Sequence, residues 1–119
     1  MKITIPVSVG ELLDKISILK IKQRYSKNEY IRKELNDLVQ IAKDLNVFYF
    51  SYIMELTTVN QILWDTENEL RNLEKLQDFG ERFVELARKV YITNDTRAEI
   101  KRKINEETES NYKEIKIYE

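Results

Sequence analysis

The chain has 119 residues, of which 42% are hydrophobic, and its 20 basic and 21 acidic side chains leave a net charge of −1. This length fits a single folded domain over residues 1–119, and the balanced charge gives no long-range attraction to nucleic acid. The absence of cysteine and histidine excludes thiol chemistry and thiolate or imidazole metal sites. No stretch reaches the ~20 apolar residues of a membrane span, so we expect a cytoplasmic protein without a membrane span, metal or cofactor.

Both ends of the chain alternate apolar and polar residues, which is the pattern of a short strand. Ile3 and Ile5 do so near the start, and Ile115 and Ile117 do so within the final YKEIKIYE. We predict that the two termini pair as a small two-stranded ribbon, which needs helices beneath it to be stable.

The first half of the chain predicts two helices. Ser8 followed by Glu11 forms a capping box that begins helix 1, and the apolar residues of this helix lie on two opposite sides, which predicts a sandwiched position. Helix 2, from about Asn28 to Leu45, is apolar on one side only. A turn is predicted near Asn46.

Two longer helices are predicted to follow as an antiparallel hairpin. Helix 3 runs to about Gln77 with apolar residues at heptad spacing, and Gly80 ends it with a turn. Helix 4 begins near Glu81 and breaks at residues 92–95. The predicted fold class is therefore all-α, a bundle of four to five helices in which helices 1 and 2 pack across the hairpin.

The fifth helix depends on a second capping box, formed by Thr96 and Glu99 directly after the predicted break. It would run to about Glu107. Its first turn would then offer free backbone amides beside polar side chains.

Groups for catalysis are few, because without His and Cys only carboxylates, Lys and Tyr remain for acid–base chemistry. This makes an enzyme less favoured without excluding one. VSVGELLDKI looks like the start of the magnesium motif of a MazG-type nucleotide pyrophosphohydrolase, in which carboxylates at i and i+3 hold the metal. Glu11 and Asp14 have this spacing, with Glu67 or Glu106 as further acids, but Ser8 stands where the motif has an acid, and acids at a helix start also favour the helix dipole.

A second enzymatic alternative comes from the segment LLDKISILKIKQR, which resembles the first helix of the all-helical chorismate mutases in size and rhythm. The segment lacks the early arginine and the paired acidic signature of that family. The resemblance is therefore mainly one of helical periodicity.

One polar set lies on helix 3, where Asn60, Trp64 and Glu67 share a face at i, i+4 and i+7. This spacing places an indole beside an amide and a carboxylate, which is a candidate ligand site. The alternative is that Trp64 fills the core with its N–H satisfied.

A second polar set surrounds the predicted helix break and consists of Asn94, Asp95, Arg97, Lys101 and Asn105. Arg97, Lys101 and Asn105 share a helical face, and two cations at a helix N-terminus favour a phosphate or carboxylate ligand. The alternative is structural, with Asn94 and Asp95 as caps and Arg97 paired with a carboxylate of another helix, such as Glu67 or Asp14.

Three segments together resemble an uncharacterised family, a domain of unknown function in small bacterial and phage proteins. They are VSVGELLDKISILKIKQR, VNQILWDTENELRNLE and FVELARKVYITNDTRAEIKRKIN. The resemblance implies no activity, but it implies a setting among genes for surface-polysaccharide assembly and glycosyltransferases. It marks twelve positions without catalytic roles: Asp14, Lys15, Asn60, Trp64, Glu67, Arg88, Tyr91, Asn94, Asp95, Arg97, Lys101 and Asn105.

The leading functional prediction is a non-enzymatic accessory domain for surface-glycan biosynthesis that binds a protein partner or itself. A homodimer is predicted because the heptad face of helix 3 and the aromatic cluster at residues 48–52 offer a large apolar surface. The alternative from another class is a binding protein for a small anionic ligand such as a nucleotide or sugar phosphate.

Overall fold

The computed structural model describes residues 1–117. Its helices are α1 (Val9–Tyr25), α2 (Glu29–Asp44), α3 (Phe50–Lys75) and α4 (Glu81–Glu107). The predicted all-α fold class is confirmed, and α3 and α4 pack on each other as a hairpin across the turn at residues 76–80. Over the described range, none of the helices is long and apolar enough to cross a lipid bilayer.

The helix starts follow from local capping. Ser8 accepts a hydrogen bond from the backbone N–H of Glu11 at 3.0 Å, which is the Ser8 half of the predicted capping box. The side chain of Asn28 also caps a helix, at the start of α2. The prediction that Gly80 ends α3 is wrong, because Gly80 is the N-cap of α4. Gln77 instead takes the left-handed conformation after α3, with φ 55°.

The core is centred on α1, which contacts all three other helices. Leu13, Ile16 and Ile21 are almost completely buried and belong to both apolar sides of the helix, so its predicted sandwiched position is confirmed. The prediction that helix 2 packs across the hairpin is wrong. Among the described helices, α2 packs only against α1 and not against α3 or α4. The single apolar side of α2, with Leu35 and Ala42 buried, is used up by this one contact.

The predicted break at residues 92–95 and the fifth helix are wrong, because α4 is continuous from Glu81 to Glu107. Thr96 does not cap a helix; its hydroxyl donates back to the carbonyl of Ile92, one turn earlier. The turn preferences of an Asn-Asp pair cost only tenths of a kcal/mol per residue in a helix, and the packing of α4 on α1 and α3 outweighs them.

The predicted ribbon is also wrong for the described residues, because residues 1–7 and 111–117 contain no strand and are exposed. Both segments do leave the helices at one corner, where the hydroxyl of Ser110 accepts from the N–H of Val9 at 3.1 Å. Residues 118–119 of the predicted second strand lie outside the described residues.

The heptad face of helix 3 is used within the chain. Its members are buried or half-buried against α1 and α4: Leu56, Val59, Leu63, Thr66, Leu70 and Leu73. In the aromatic cluster, Phe48 and Tyr52 pack against the core, and Tyr49 and Phe50 remain exposed. Most of the surface from which the homodimer was predicted is therefore already covered.

The end of the hairpin that includes the turn is less well packed. Over residues 67–90, which we call the distal hairpin, Leu86 is the only fully buried residue. The remaining residues of this segment are half-buried or exposed, so α3 and α4 stabilise each other there with little help from the core.

The close approach of α4 to Gly10 of α1 predicts a strong steric effect. A Cβ on Gly10 would lie 2.8 Å from the backbone oxygen of Lys101 and 3.0 Å from Oδ1 of Asn105. We expect Gly10→Ala to destabilise the protein by about 1 to 3 kcal/mol, although Ala favours a helix by up to ~1 kcal/mol. Urea unfolding measures this loss. Gly80→Ala is the control, because its Cβ meets only a side-chain oxygen of Asp78 at 3.3 Å, and equal losses for the two variants would contradict the steric argument.

Candidate functional site

A buried carboxylate joins three of the helices. Asp14 of α1 is completely buried and accepts hydrogen bonds from Nδ2 of Asn60 on α3, at 2.8 Å, and from Nε of Arg97 on α4, at 3.0 Å. Ser17, one turn further along α1, donates its hydroxyl to the carbonyl of Asp14 at 2.7 Å and accepts from Nδ2 of Asn60 at 2.8 Å. All of these polar atoms are thereby paired across α1, α3 and α4.

Arg97 binds Asp14 through two nitrogens, because Nη2 forms a second hydrogen bond to Oδ2. Its side chain is 27% exposed, so part of it reaches the surface. Nη1 lies 3.5 Å from Oδ1 of Asn94, a long contact. The hydrogen bonds to Asp14 raise the pKa of Arg97 above its ordinary value, against the effect of burial.

Lys101 lies one turn after Arg97 and is the more deeply buried of the two cations. Its amine donates to Glu11 at 2.8 Å and to Glu114 of the C-terminal segment at 3.3 Å, and it lies 3.8 Å from Oδ2 of Asp14. Burial alone would lower the pKa of Lys101, but the hydrogen bond to Glu11 and the charges of Asp14 and Glu114 together raise it above the ordinary 10.5.

Asn105 completes this face of α4. Its Oδ1 accepts from the backbone N–H of Gly10 at 2.7 Å, and its side chain is buried. Arg97, Lys101 and Asn105 all point at α1, which confirms that they share one helical face. Gly10, Glu11 and Asp14 at the start of α1 thus all bond to this face of α4.

We call this set, formed by Glu11, Asp14, Arg97, Lys101 and Glu114, the ion-pair cluster. Two cations face three carboxylates within it. The positive charge of Arg97 and Lys101 is therefore already balanced inside the chain, as buried charges require.

A groove opens beside the cluster, between α1 and the α3–α4 hairpin, with a volume of about 470 Å³. Its size falls in the range of small-molecule sites, roughly 300 to 1,000 Å³. It is lined by Ile18, Ile21, Asn60, Leu63, Trp64, Glu67, Asn68, Arg71, Asn94 and Arg97. The two polar sets identified in the sequence meet here, since Asn60, Trp64 and Glu67 lie on the α3 side, and Asn94 and Arg97 on the α4 side.

The other three candidate residues lie elsewhere. Asp95, Lys101 and Asn105 line a second pocket, of about 390 Å³, that α4 forms with residues 113–116 of the C-terminal segment. The structure therefore divides the late polar set between two pockets, although Arg97 and Lys101 lie on the same face of α4 and also line a smaller pocket of about 220 Å³ together.

The prediction that this set lies at a helix N-terminus is wrong. Asn94 and Asp95 are interior residues of α4, whose backbone N–H groups are used within the helix. The phosphate-site hypothesis depended on free amides beside Arg97 and Lys101, and neither the amides nor uncompensated cations are there. Arg97 instead contacts Asp14, one of the two carboxylates named for the structural alternative.

Some residues of the site were missed in the sequence. Tyr25 stacks on Trp64 with ring centroids 5.1 Å apart and 12° between the planes, and Arg71 lines the groove. Ser17 could have been identified from the sequence, because it is a polar residue one turn after Asp14 among apolar positions of the helix. No sequence pattern identifies Glu114, because its contact with α4 depends on the path of the C-terminal segment.

The arrangement of the carboxylates does not support the magnesium-site alternative. Glu11 and Asp14 bind Lys101 and Arg97. Among residues 1–117 there is no group of three or more His, Cys, Asp or Glu side chains positioned to hold a metal ion.

Fold and site together define a small all-helical protein with a buried ion-pair cluster beside an open polar groove. The chain belongs to the family of unknown function DUF6165, whose model matches residues 1–119. The predicted resemblance to a domain of unknown function is thereby confirmed. No curated protein and no solved structure gives a significant match.

The buried pair predicts a large loss of stability for Arg97→Ala. Without Arg97, the buried Asp14 carboxylate keeps Asn60 and the more distant Lys101 as partners, and we expect a cost of about 3 to 5 kcal/mol in urea unfolding. Arg82→Ala is the matched control, because Arg82 pairs with Glu69 at the surface, where such pairs contribute about 0 to 1 kcal/mol. Similar losses for both variants would show that the Asp14–Arg97 pair contributes no more stability than a surface ion pair.

The raised pKa of Lys101 predicts a dependence of stability on alkaline pH. A cation whose pKa is raised by folding stabilises the protein fully below its unfolded pKa, and this stabilisation is lost as pH rises through the folded pKa. The melting-temperature advantage of the wild type over Lys101→Met should therefore be constant up to a pH near 10.5 and decrease above it. The exposed Lys103→Met is the control, and an equal loss of advantage over the same pH range for this variant would contradict the role assigned to the buried Lys101.

Proposed function

We propose that this protein is a non-enzymatic interaction module that forms a homodimer through the outer face of α4. The observation that supports this is an exposed apolar stripe on that helix. Val84, Tyr91 and Ile92 are 52%, 55% and 53% exposed, although they are large apolar or aromatic side chains. We call these three residues, with Arg88 between them, the α4 stripe.

The spacing of the α4 stripe supports a contact surface. At about 100° per residue, positions i, i+4, i+7 and i+8 fall within one side of a helix. Tyr and Arg are the residue types enriched where protein interfaces contribute most energy. Arg88 and Tyr91 are also two of the positions that the sequence resemblance marks.

A second copy of the chain suits the stripe because an isologous contact places the same face on both sides. Two α4 helices that meet antiparallel across Tyr91 and Ile92 bury the apolar side chains of both copies together. The stripe from Val84 to Ile92 is only about 12 Å long at 1.5 Å per residue. The interface would therefore be small, and small interfaces are typical of weak, transient complexes.

The biological setting is part of the proposal. Its support is the resemblance of the three sequence segments, which implies a place among genes for surface-glycan biosynthesis, and we propose that the module acts there in the cytoplasm. The α4 stripe supplies the contact, and no catalytic step is assigned to it.

Sedimentation equilibrium over a range of concentrations tests the proposal. We expect the wild type to approach twice the chain mass of 14.3 kDa at high concentration, and Tyr91→Glu to stay monomeric, because a buried charge opposes the apolar contact. The melting temperature of Tyr91→Glu should remain close to that of the wild type, since the side chain is exposed.

Tyr30→Glu is the matched control, because Tyr30 is 84% exposed on α2, outside the α4 stripe. This variant should dimerise like the wild type. A wild type that remains monomeric at every concentration, or a dimer that Tyr91→Glu leaves intact, would reject the proposal.

A further inference from the structure

The groove between α1 and the hairpin is lined by a side-chain amide oxygen that is open to a ligand, although the residue that carries it is mostly buried. Asn60 is only 6% exposed, and its Nδ2 is used by Asp14 and Ser17. Within residues 1–117 no group donates to its Oδ1, yet this atom is not sealed from solvent. Because Asn60 lines the groove, a donor bound there would satisfy the oxygen.

Donors stand on the α4 side of the same groove. Nη1 of Arg97 makes only the long 3.5 Å contact with Oδ1 of Asn94. The described residues provide no acceptor for Nδ2 of Asn94. A ligand that both donates and accepts could therefore bridge Asn60 to Asn94 and Arg97.

The groove as a whole is close to neutral. Arg97 is paired with the buried Asp14, and the remaining charged lining residues are one acid, Glu67, and one base, Arg71. This balance does not favour a phosphate, whose charge would need uncompensated cations.

The apolar part of the lining surrounds Trp64, which stacks on Tyr25 and is joined in the groove wall by Ile18 and Leu63. Such a wall favours a ring with a non-polar face. The nearby amides favour polar groups on the ring edge.

We propose that this groove binds a neutral ring bearing several hydroxyl groups, such as a hexose or the ribose of a nucleoside. Each hydroxyl can donate to Oδ1 of Asn60 and accept from Asn94 or Arg97. The C–H face of the ring packs against Trp64 and its apolar neighbours. This site is independent of the α4 stripe, so either proposal can fail alone.

Trp64 is the only tryptophan in the chain, so its indole N–H gives a single reporter signal in a ¹H–¹⁵N spectrum. The full chain would be titrated separately with glucose, adenosine, adenine and inorganic phosphate. We expect a saturable shift with glucose, with adenosine or with both, and none with adenine or phosphate. A shift with glucose identifies a free sugar as the source of the ring, and a shift with adenosine alone identifies a nucleoside.

Asn94→Ala tests the geometry without disturbing the buried Asn60. It should weaken binding of the responding ring about 2- to 12-fold, which corresponds to the loss of one hydrogen bond of about 0.5 to 1.5 kcal/mol. Asn72→Ala is the matched control, because Asn72 is an exposed asparagine of α3 outside the groove lining. No saturable shift with either hydroxylated ring, a shift with adenine or phosphate, or equal affinities for Asn94→Ala and wild type would overturn the inference.

Discussion

The arrangement of the helices depends on the buried carboxylate of Asp14. An unpaired carboxylate in a protein interior costs several kcal/mol, so the fold requires Asn60 and Arg97 to reach this one position from α3 and α4. A slip of α1 by one residue would rotate Asp14 by about 100° and separate it from both partners. The ion-pair cluster therefore specifies how α1 is rotated and placed against the hairpin, which apolar contacts alone define less sharply.

Local features of the fold could be predicted, because their causes lie within a few residues. Three examples depend on spacing within one helix: the N-cap at Ser8, the two apolar sides of α1, and the shared face of Arg97, Lys101 and Asn105. The break at Asn94 and Asp95 was predicted from the same kind of local preference and was wrong, since contacts with α1 and α3 decide the state of that segment. The terminal ribbon failed for a similar reason, because an alternating pattern indicates a strand without supplying its partner.

The candidate site could be predicted only in parts. Asn60, Trp64 and Glu67 were found by their spacing on α3, and Asn94 and Arg97 by their place in the late segment, but nothing in the sequence joined the two sets across one groove. Arg97 resembled a free cation because no acid lies three or four residues from it, on the same face of its own helix. Its partner Asp14 is 83 residues away, and this pairing changes the expected ligand from an anion to a neutral molecule.

The uneven packing of the hairpin affects how the protein fluctuates. The distal hairpin, residues 67–90, has Leu86 as its only fully buried residue, whereas the Asp14 end is held by apolar contacts and the ion-pair cluster. Helical segments of this length are marginal in water without tertiary contacts. Backbone amides of the distal hairpin should therefore exchange with solvent through local opening, while those around Asp14 exchange only when the whole molecule unfolds. The four helices would then behave as two cooperative units, with the boundary crossing α3 and α4 rather than lying between helices.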